Sequence, residues 1–207
     1  MRMLAKPFSA PWHPRDMLDT TMLPPPTTEG HNADDDALVR AAVAGDTGAY
    51  ERIYRRHSPR LYAVLWRLCG GNAARAEDAL QDAFLQAWRA LPGFRFESSL
   101  GTWLHRLGVN AALMELRGQA GRESDIEEGV ELLEQLPGPQ RCAGTALDLE
   151  RALETLPPRA RAVLVLHDIE GWKHHEIADQ LQMAVGSSKA HLHRARGLLR
   201  AQLGEPA

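Results

Sequence analysis

The chain has little of what defines several common protein classes. Its 207 residues include only two cysteines, Cys69 and Cys142, which are far apart and form no CxxC pair. Neither a disulfide framework nor a thiolate zinc site is therefore expected. No run of about 18 apolar residues occurs, which argues against a membrane-spanning helix. The first residues lack the continuous apolar stretch of a signal peptide, so the cytoplasm is the expected compartment.

The sequence also lacks the patterns that carry catalysis or bind metals. It contains no HExxH motif, no glycine-rich phosphate loop and no recognisable pairing of a nucleophile with a base. His191 and His193 would point to nearly opposite sides of a helix. Residues 34–36 are consecutive aspartates without the spaced ligands of a calcium loop, and they favour the N-terminal end of a helix. We therefore expect no enzymatic activity, no catalytic residue, no metal and no cofactor.

A net positive charge, the usual mark of a nucleic-acid-binding protein, is missing as well. The formal net charge is −3, but its sign alternates along the chain. Residues 37–118 carry +4, residues 119–150 carry −6 and residues 151–200 carry +3. Because attraction to phosphates depends on local charge, two basic modules separated by an acidic linker suit two contacts with a polyanion. An acidic linker that merely keeps the protein soluble would look the same.

Helical periodicity is abundant, and no strand pattern accompanies it. Residues 1–33 are rich in proline and are predicted to be disordered. Residues 34–118 predict four helices, residues 119–146 a flexible acidic linker, and residues 147–203 a second four-helix module. The expected fold class is all-α, with two small helical domains joined by the linker.

The third and fourth predicted helices define the expected core of the first module. They span residues 72–90 and 103–117. The side chains expected on their core faces are Ala76, Leu80, Ala83, Phe84, Ala87 and Trp88, and then Leu104, Leu107, Ala111 and Met114. Gly108 costs about 1 kcal/mol relative to alanine in a helix interior, which indicates close packing or a bend there.

The segment 171–200, GWKHHEIADQLQMAVGSSKAHLHRARGLLR, predicts a helix, a turn over 183–186 and a basic helix capped by Ser187. Spacings of four, three and four residues define one buried stripe on the second helix. Its members are Ser188, Leu192, Ala195 and Leu199. The outward side chains are Lys189, His191, Arg194 and Arg196. Such a helix suits the major groove of duplex DNA, although an amphipathic surface helix of an ordinary bundle shows the same pattern.

Two blocks of sequence taken together resemble the extracytoplasmic-function sigma factors of bacteria. The first is AEDALQDAFLQAWRALPGFRFESSLGTWLHRLGVNAALMELR, residues 76–117. The second is ETLPPRARAVLVLHDIEGWKHHEIADQLQMAVGSSKAHLHRARGLLR, residues 154–200. The resemblance implies that residues 34–118 are a sigma region 2 and residues 147–203 a sigma region 4. It also implies a cytoplasmic protein that binds core RNA polymerase, directs initiation at promoter DNA and is held by an anti-sigma factor or another regulator.

The resemblance assigns roles to particular positions. The residues implied to bind core polymerase are Asp78, Gln81 and Asp82. Those implied to bind the −10 element are Phe94, Arg95, Phe96, Trp103, Arg106, Asn110 and Arg117. Those implied to bind the −35 element are Ser187, Lys189, His191, Arg194 and Arg196, with Arg196 nearer the DNA backbone. Residue types alone leave other interpretations open, since the carboxylates would also suit a solvated face, and Phe94 and Trp103 would also suit a core.

The sequence departs from the family pattern mainly in the second module. Many members have threonine, valine, serine and arginine where this chain has Ser187, Ser188, Ala190 and His191, so base preference does not transfer. Gln182 stands where a glycine is common in the turn, which costs little even if the position needs a positive φ. Two other functions remain open: a stand-alone helix-turn-helix regulator, and an interaction protein whose helices only bind a partner. The regulator alternative predicts tight duplex binding without polymerase.

Overall fold

The computed structural model describes residues 33–123 and 146–203, which contain eight α-helices and no strand. The helices are α1 Ala33–Val43, α2 Thr47–Leu68, α3 Ala73–Ala90, α4 Leu100–Glu123, α5 Ala146–Thr155, α6 Pro158–Leu164, α7 His174–Leu181 and α8 Val185–Leu203. A 3-10 turn, Leu91–Gly93, follows α3, and a π-helical turn, Val165–Ile169, follows α6. The expected all-α fold is confirmed. The proline-rich tail, apart from Ala33, and most of the acidic linker lie outside the described residues.

The first module is a bundle of α1 to α4 in which α2 packs against the other three helices. Asp46 caps α2 and Asn72 caps α3, each through a side-chain oxygen that accepts a backbone N–H at 3.1 Å. Gly108 of α4 faces Leu61 of α2, where a Cβ atom would lie 2.6 Å from Leu61 Cδ1. The close packing predicted at this glycine is confirmed.

Two residues expected in the core of this module lie at the surface instead. Trp88 is 42% exposed and Met114 is 63% exposed. The α4 helix spans Leu100–Glu123 rather than 103–117, and its buried side chains include Leu104, Val109, Ala112 and Leu113. The buried stripe is rotated away from the expected one because α4 packs against α2 and α3 at once. Because Gly108 has no side chain, α2 can pack against a flank of α4 that lies outside the apolar stripe expected from the sequence.

The second module is a bundle of α5 to α8 that contains the helix-turn-helix α7 and α8. Gln182 adopts a left-handed conformation with φ of 52° and ends α7, its N–H donating to the Ala178 carbonyl. The α8 helix begins at Val185, so Ser187 lies inside its first turn and the prediction that Ser187 is the N-cap is wrong. The expected buried stripe is confirmed at Ser188, Leu192, Ala195 and Leu199.

The two modules contact each other through α2 and α4 of the first and α5 to α7 of the second. Arg67 Nε donates to Glu150 Oε1 at 2.8 Å, and these side chains are only 10% and 21% exposed. His105 Nε2 lies 2.8 Å from Glu170 Oε2. Buried apolar side chains of both modules join in one hydrophobic core. The described residues therefore form one docked unit.

Candidate polymerase and nucleic-acid interfaces

The outward face of α3 combines carboxylates with large apolar side chains. Asp78, Gln81 and Asp82 are all exposed. Leu85 and Trp88 continue the same face at spacings of four and three residues after Gln81 and are 48% and 42% exposed. An exposed tryptophan beside charged groups is a composition typical of protein interfaces, where such anchors carry much of the binding energy. The face is therefore suited to a protein partner rather than only to solvent.

An aromatic cluster is formed by the loop after α3 and the first turn of α4. It consists of Phe94, Phe96 and Trp103. The ring centroids of Phe94 and Phe96 are 4.9 Å apart, and those of Phe94 and Trp103 are 5.1 Å apart. All three side chains are half-buried, with one part packed against the core and another part open to solvent. The structure thus combines the two interpretations of these residues, because they support the fold and also leave ring surface for a ligand to stack on.

The backbone of Phe96 adopts a left-handed conformation with φ of 57°. This conformation is unfavourable for a bulky residue, and residues of this kind concentrate at functional sites. The guanidinium carbon of Arg40 in α1 lies 5.4 Å from the centroid of the Phe96 ring. Arg95, on the same loop, is exposed and lies 4.0 Å from Glu97. The loop after α3 therefore carries a fixed ring flanked by two arginines.

The polar residues expected to bind the −10 element continue from the aromatic cluster along α4. Trp103, Arg106 and Asn110 are spaced by three and four residues and so share one face of the helix. Arg106 is exposed, whereas Asn110 is half-buried and its Oδ1 has no hydrogen-bond partner among the described residues. A buried amide oxygen without a donor is unfavourable, because it has lost its hydrogen bonds to water without gaining another. The side chain of Arg117 lies outside the described part of the chain.

The basic side chains of α8 divide between two flanks of the helix. Ser187, His191 and Arg194 are spaced by four and three residues and lie on one flank. Lys189 and Arg196, two turns apart, lie on the other flank. Ser187, Lys189, Arg194 and Arg196 are exposed, whereas His191 is half-buried. The first flank presents hydrogen-bonding groups of different kinds, while the second presents only cations.

A hydrogen-bonded network ties the cationic flank to the elements before α8; we call it the Asp168–Ser188 network. Arg196 donates from Nε and Nη2 to the two carboxylate oxygens of Asp168, at 2.9 and 2.6 Å. His167 Nδ1 lies 2.7 Å from the same carboxylate, and the His167 ring stacks on His174 with centroids 4.5 Å apart. His174 Nδ1 is 2.9 Å from Oγ of the fully buried Ser188. The hydroxyl that departs from the family pattern therefore has a histidine partner.

The network shifts the pKa values of three of its members, and the hydrogen bonds to Asp168 raise that of Arg196. The hydrogen bonds from Arg196 hold the pKa of Asp168 below its ordinary value. Burial, and then the positive charges of His167, Lys189 and Arg196, lower the pKa of His174. The Asp168 carboxylate therefore holds the Arg196 guanidinium beside the π-helical turn.

The described part of the chain contains neither a metal-binding cluster nor a membrane-spanning helix. Within it, no group of three or more His, Cys, Asp or Glu side chains is arranged to hold a metal ion. None of its helices is both long enough and apolar enough to cross a lipid bilayer.

Several of these features were missed from sequence. Leu85 and Trp88 had a usable signal, since they continue the spacing of the polar residues on the outward face of α3. The contact between Arg40 and Phe96 had none, because it joins a helix to a distant loop. The Asp168–Ser188 network also had none, because it joins the π-helical turn, α7 and α8.

Comparison with known families identifies both modules. The model for Sigma-70 region 2 matches residues 53–122, and the model for Sigma-70, region 4 matches residues 146–199. Both matches fall on the helices that carry the candidate interfaces.

Known relatives extend the likeness over most of the chain. The ECF RNA polymerase sigma factor SigM of Mycobacterium tuberculosis is 37% identical over 176 residues, which cover 84% of this chain and 87% of SigM. The RNA polymerase sigma-H factor of Pseudomonas aeruginosa is 29% identical over 174 residues, covering 78% of this chain and 90% of that protein. The sigma factor RpoE of Bartonella quintana, solved with the anti-sigma factor NepR, matches the fold with a TM-score of 0.51 at 24% identity, covering 76% and 98% of the two chains. This chain therefore belongs to the extracytoplasmic-function RNA polymerase sigma factors.

Proposed function

We propose a division of roles within this sigma factor. Residues 34–118 bind core RNA polymerase and the −10 element, residues 147–203 bind the −35 element, and residues 119–146 connect the two. The observation that carries this proposal is the contrast between the candidate interfaces, an aromatic cluster beside a polar helix face in one module and an exposed basic helix in the other. The protein itself performs no catalysis in this scheme, and it acts in the cytoplasm, where the chromosome is transcribed.

The outward face of α3 is the proposed docking site for core polymerase. Asp78 and Asp82 provide carboxylates for arginines or lysines of the partner. Leu85 and Trp88 provide the apolar area that leaves water when the partner binds. Of these, the tryptophan is expected to contribute most to affinity, because large aromatic side chains dominate interface energetics.

The aromatic cluster and the adjacent face of α4 are the proposed site for the melted −10 element. Unpaired bases can stack on Phe94, Phe96 and Trp103, and each stacked base contributes about 1–3 kcal/mol. Asn110 lies on the same face of α4 as Trp103 and Arg106, and its amide is assigned to a base edge there. Arg95, Arg106 and Arg117 would hold the phosphates of the same strand.

The α8 helix is the proposed reader of the −35 element in the major groove. Ser187, His191 and Arg194 occupy the flank with varied hydrogen-bonding groups and are assigned to base edges. Lys189 and Arg196 occupy the cationic flank and are assigned to the DNA backbone. Because His191 stands where many relatives have arginine, base preference is expected to differ at its position.

The docked arrangement of the modules must open when both promoter elements are bound. Elements named −10 and −35 lie roughly 25 base pairs apart, which is about 85 Å along B-DNA. A compact protein of about 150 residues has a radius of gyration of about 15 Å and is therefore about 40 Å across. We infer that the contacts Arg67–Glu150 and His105–Glu170 break on core polymerase and that residues 119–146 then span the gap.

A regulator that holds the protein inactive belongs to the same proposal. RpoE of Bartonella quintana was solved with an anti-sigma factor, and a protein of that kind is the expected partner of this chain. A stand-alone helix-turn-helix regulator is not favoured, because the similarity to sigma factors covers both modules.

Run-off transcription tests the proposed function. The full chain is combined with core RNA polymerase of its source organism on a promoter library, and initiation dependent on both components is expected. Asp78→Asn with Asp82→Asn should weaken core binding, whereas the control Asp36→Asn, an acidic residue of α1, should not. A chain that binds duplex DNA tightly by itself and never supports initiation would point to the regulator alternative.

A further inference from the structure

Arg40 precedes residues 53–122, which match the Sigma-70 region 2 model, yet it lies against the aromatic cluster. We propose that Arg40 is a positioning residue for the melted −10 strand, whose guanidinium holds the Phe96 ring and also contacts a strand phosphate. This inference rests on the proposed −10 function of the aromatic cluster.

The contact between Arg40 and Phe96 joins a rigid helix to a loop. The guanidinium carbon lies 5.4 Å from the ring centroid, within the range of a cation–π interaction. The α1 helix also packs against the turn Leu91–Gly93, which immediately precedes the loop. Arg40 is thus held at a fixed place beside the cluster by the fold of the module.

The contact with Arg40 stabilises Phe96 in an unfavourable backbone conformation. A left-handed backbone costs a bulky residue about 1–2 kcal/mol, whereas an exposed cation–π contact contributes about 0.5–1 kcal/mol. Packing against Phe94, with centroids 4.9 Å apart, contributes further. Arg40 therefore offsets part of the strain of Phe96, and its loss should let the ring leave the position in which a base would stack on it.

The charge of Arg40 is available for a further partner. Two other arginines of this module already have carboxylate partners. Arg52 of α2 lies 3.5 Å from Asp46, and Arg55 lies 2.6 Å from Glu51. Arg40 is exposed, and its contact with the Phe96 ring leaves the guanidinium open to solvent. A strand whose bases stack on the cluster carries its phosphates past the rim of the cluster, where this guanidinium lies. Bidentate hydrogen bonding to phosphate is the chemistry for which arginine is best suited.

The test uses the holoenzyme and a fork-junction DNA from a promoter that the wild-type holoenzyme transcribes, with the −10 non-template strand left single-stranded. Arg40→Gln is expected to weaken binding about tenfold, and loss of one single-strand phosphate contact should reduce the slope of log K against log salt by about 0.7. Arg40→Lys should keep the slope and lose about threefold in affinity, because it keeps the charge without the planar stacking group. Arg52→Gln is the control, since it removes the same charge from an exposed arginine of the same module.

Each result bears on a separate part of the inference. An Arg40→Gln holoenzyme that matches Arg52→Gln in affinity and salt slope overturns it, and weaker binding with an unchanged slope overturns the phosphate contact. Trp103→Ala, measured on the same DNA, separates this inference from the function on which it rests. If Trp103→Ala weakens binding and Arg40→Gln does not, only the role of Arg40 is wrong. If neither variant weakens binding, the proposed −10 site is wrong as well.

Discussion

The two modules of this sigma factor differ sharply in aromatic content. Of the 12 phenylalanines, tyrosines and tryptophans in the chain, nine lie in residues 33–123, and Trp172 is the only one in residues 146–203. The second module instead presents histidine, serine and arginine side chains around α8. Both modules are small helical bundles, so the difference is not a requirement of the fold class.

The difference matches the two forms of DNA that the modules are proposed to bind. Bases in a melted strand have lost their stacking partners, and aromatic rings replace those partners. Bases in a duplex remain stacked on each other and expose only their edges, which hydrogen-bonding and charged side chains recognise. The aromatic cluster of Phe94, Phe96 and Trp103 therefore distinguishes the proposed single-strand reader from the proposed duplex reader.

Each module contains one non-glycine residue with a left-handed backbone among its described residues, and the two residues use this conformation differently. Among the described residues, the only non-glycine residues with positive φ are Phe96 and Gln182, at 57° and 52°. At Gln182 the conformation serves to end α7, and the side chain is exposed. At Phe96 it fixes a ring in the aromatic cluster. Similar dihedral angles thus have a structural use in one module and a proposed functional use in the other.

Separating the two modules from each other is expected to have the largest effect. Arg67→Glu places two carboxylates in a largely buried site, and breaking such a pair typically costs about 3–5 kcal/mol. The radius of gyration of the chain without core polymerase, measured by small-angle X-ray scattering, should rise. The swap Arg67→Glu with Glu150→Arg should restore it.

Arg55→Glu is the matched control for this prediction. Arg55 pairs with Glu51 on the exposed face of α2, and such pairs contribute at most about 1 kcal/mol. Its reversal should leave the radius of gyration unchanged. The docked arrangement is wrong if Arg67→Glu also leaves it unchanged.

The next largest effect is a loss of binding to one kind of DNA and not to the other. Trp103→Ala is expected to weaken holoenzyme binding to fork-junction DNA about 10–100-fold and to leave binding to a −35 duplex unchanged. Arg194→Ala should weaken binding to the −35 duplex. It should leave binding to a fork-junction DNA that lacks a −35 element unchanged. Circular dichroism of both variants checks that folding is intact, since Trp103 also packs on the core. Equal losses on both probes for both variants would contradict the separation of roles.

The sequence predicted the fold well because each helix carries its own signals. Asn72 marks the start of α3, Gly108 indicates close packing or a bend within α4, and the stripe from Ser188 to Leu199 is placed correctly. These features depend on spacing within one helix. Errors occurred where a neighbouring helix determines which face of a helix is buried. Met114 is an example, because its exposure follows from the way α4 packs between two other helices.

The candidate sites were less predictable for the same reason. Family motifs point to single positions such as Trp103 and Asn110, but they do not show which side chains hold those residues in place. Arg40 is separated from Phe96 by two helices, and Asp168 meets Arg196 only after α7 has folded between them. Long-range contacts of this kind leave no periodic trace in a sequence.

A smaller effect tests the comparison of backbone strain. Gln182→Gly should stabilise the protein by about 0.5–1 kcal/mol, because glycine adopts the left-handed conformation without steric cost. Binding to a −35 duplex should be unchanged. Phe96→Gly relieves the same kind of strain but should weaken binding to fork-junction DNA. Urea denaturation and the two DNA probes measure these outcomes, and unchanged fork binding by Phe96→Gly would show that the strain at Phe96 has no functional use.

The smallest expected effect is a pH dependence to which each module contributes one histidine. Burial lowers the pKa of His57 in the first module, although the Asp35 carboxylate, 3.2 Å away, opposes this shift. Burial and neighbouring cations lower the pKa of His174 in the second. Since an unfolded histidine titrates near 6.5, each of these two histidines binds more protons in the unfolded chain between about pH 6.5 and its folded pKa. The free energy of unfolding should therefore be fully maintained above that pH and fall as the pH drops through the folded pKa values.

Histidine variants assign this loss to the modules. His57→Gln and His174→Gln should each reduce the difference in unfolding free energy between pH 7.5 and 5.0, measured by urea denaturation, because each removes one group that protonates more readily when unfolded. His193→Gln, an exposed histidine of α8, controls for the loss of an imidazole in general. If His174→Gln changes the pH dependence and His57→Gln does not, Asp35 outweighs burial in the first module, and of the two histidines only that of the second module contributes to the loss of stability in acid.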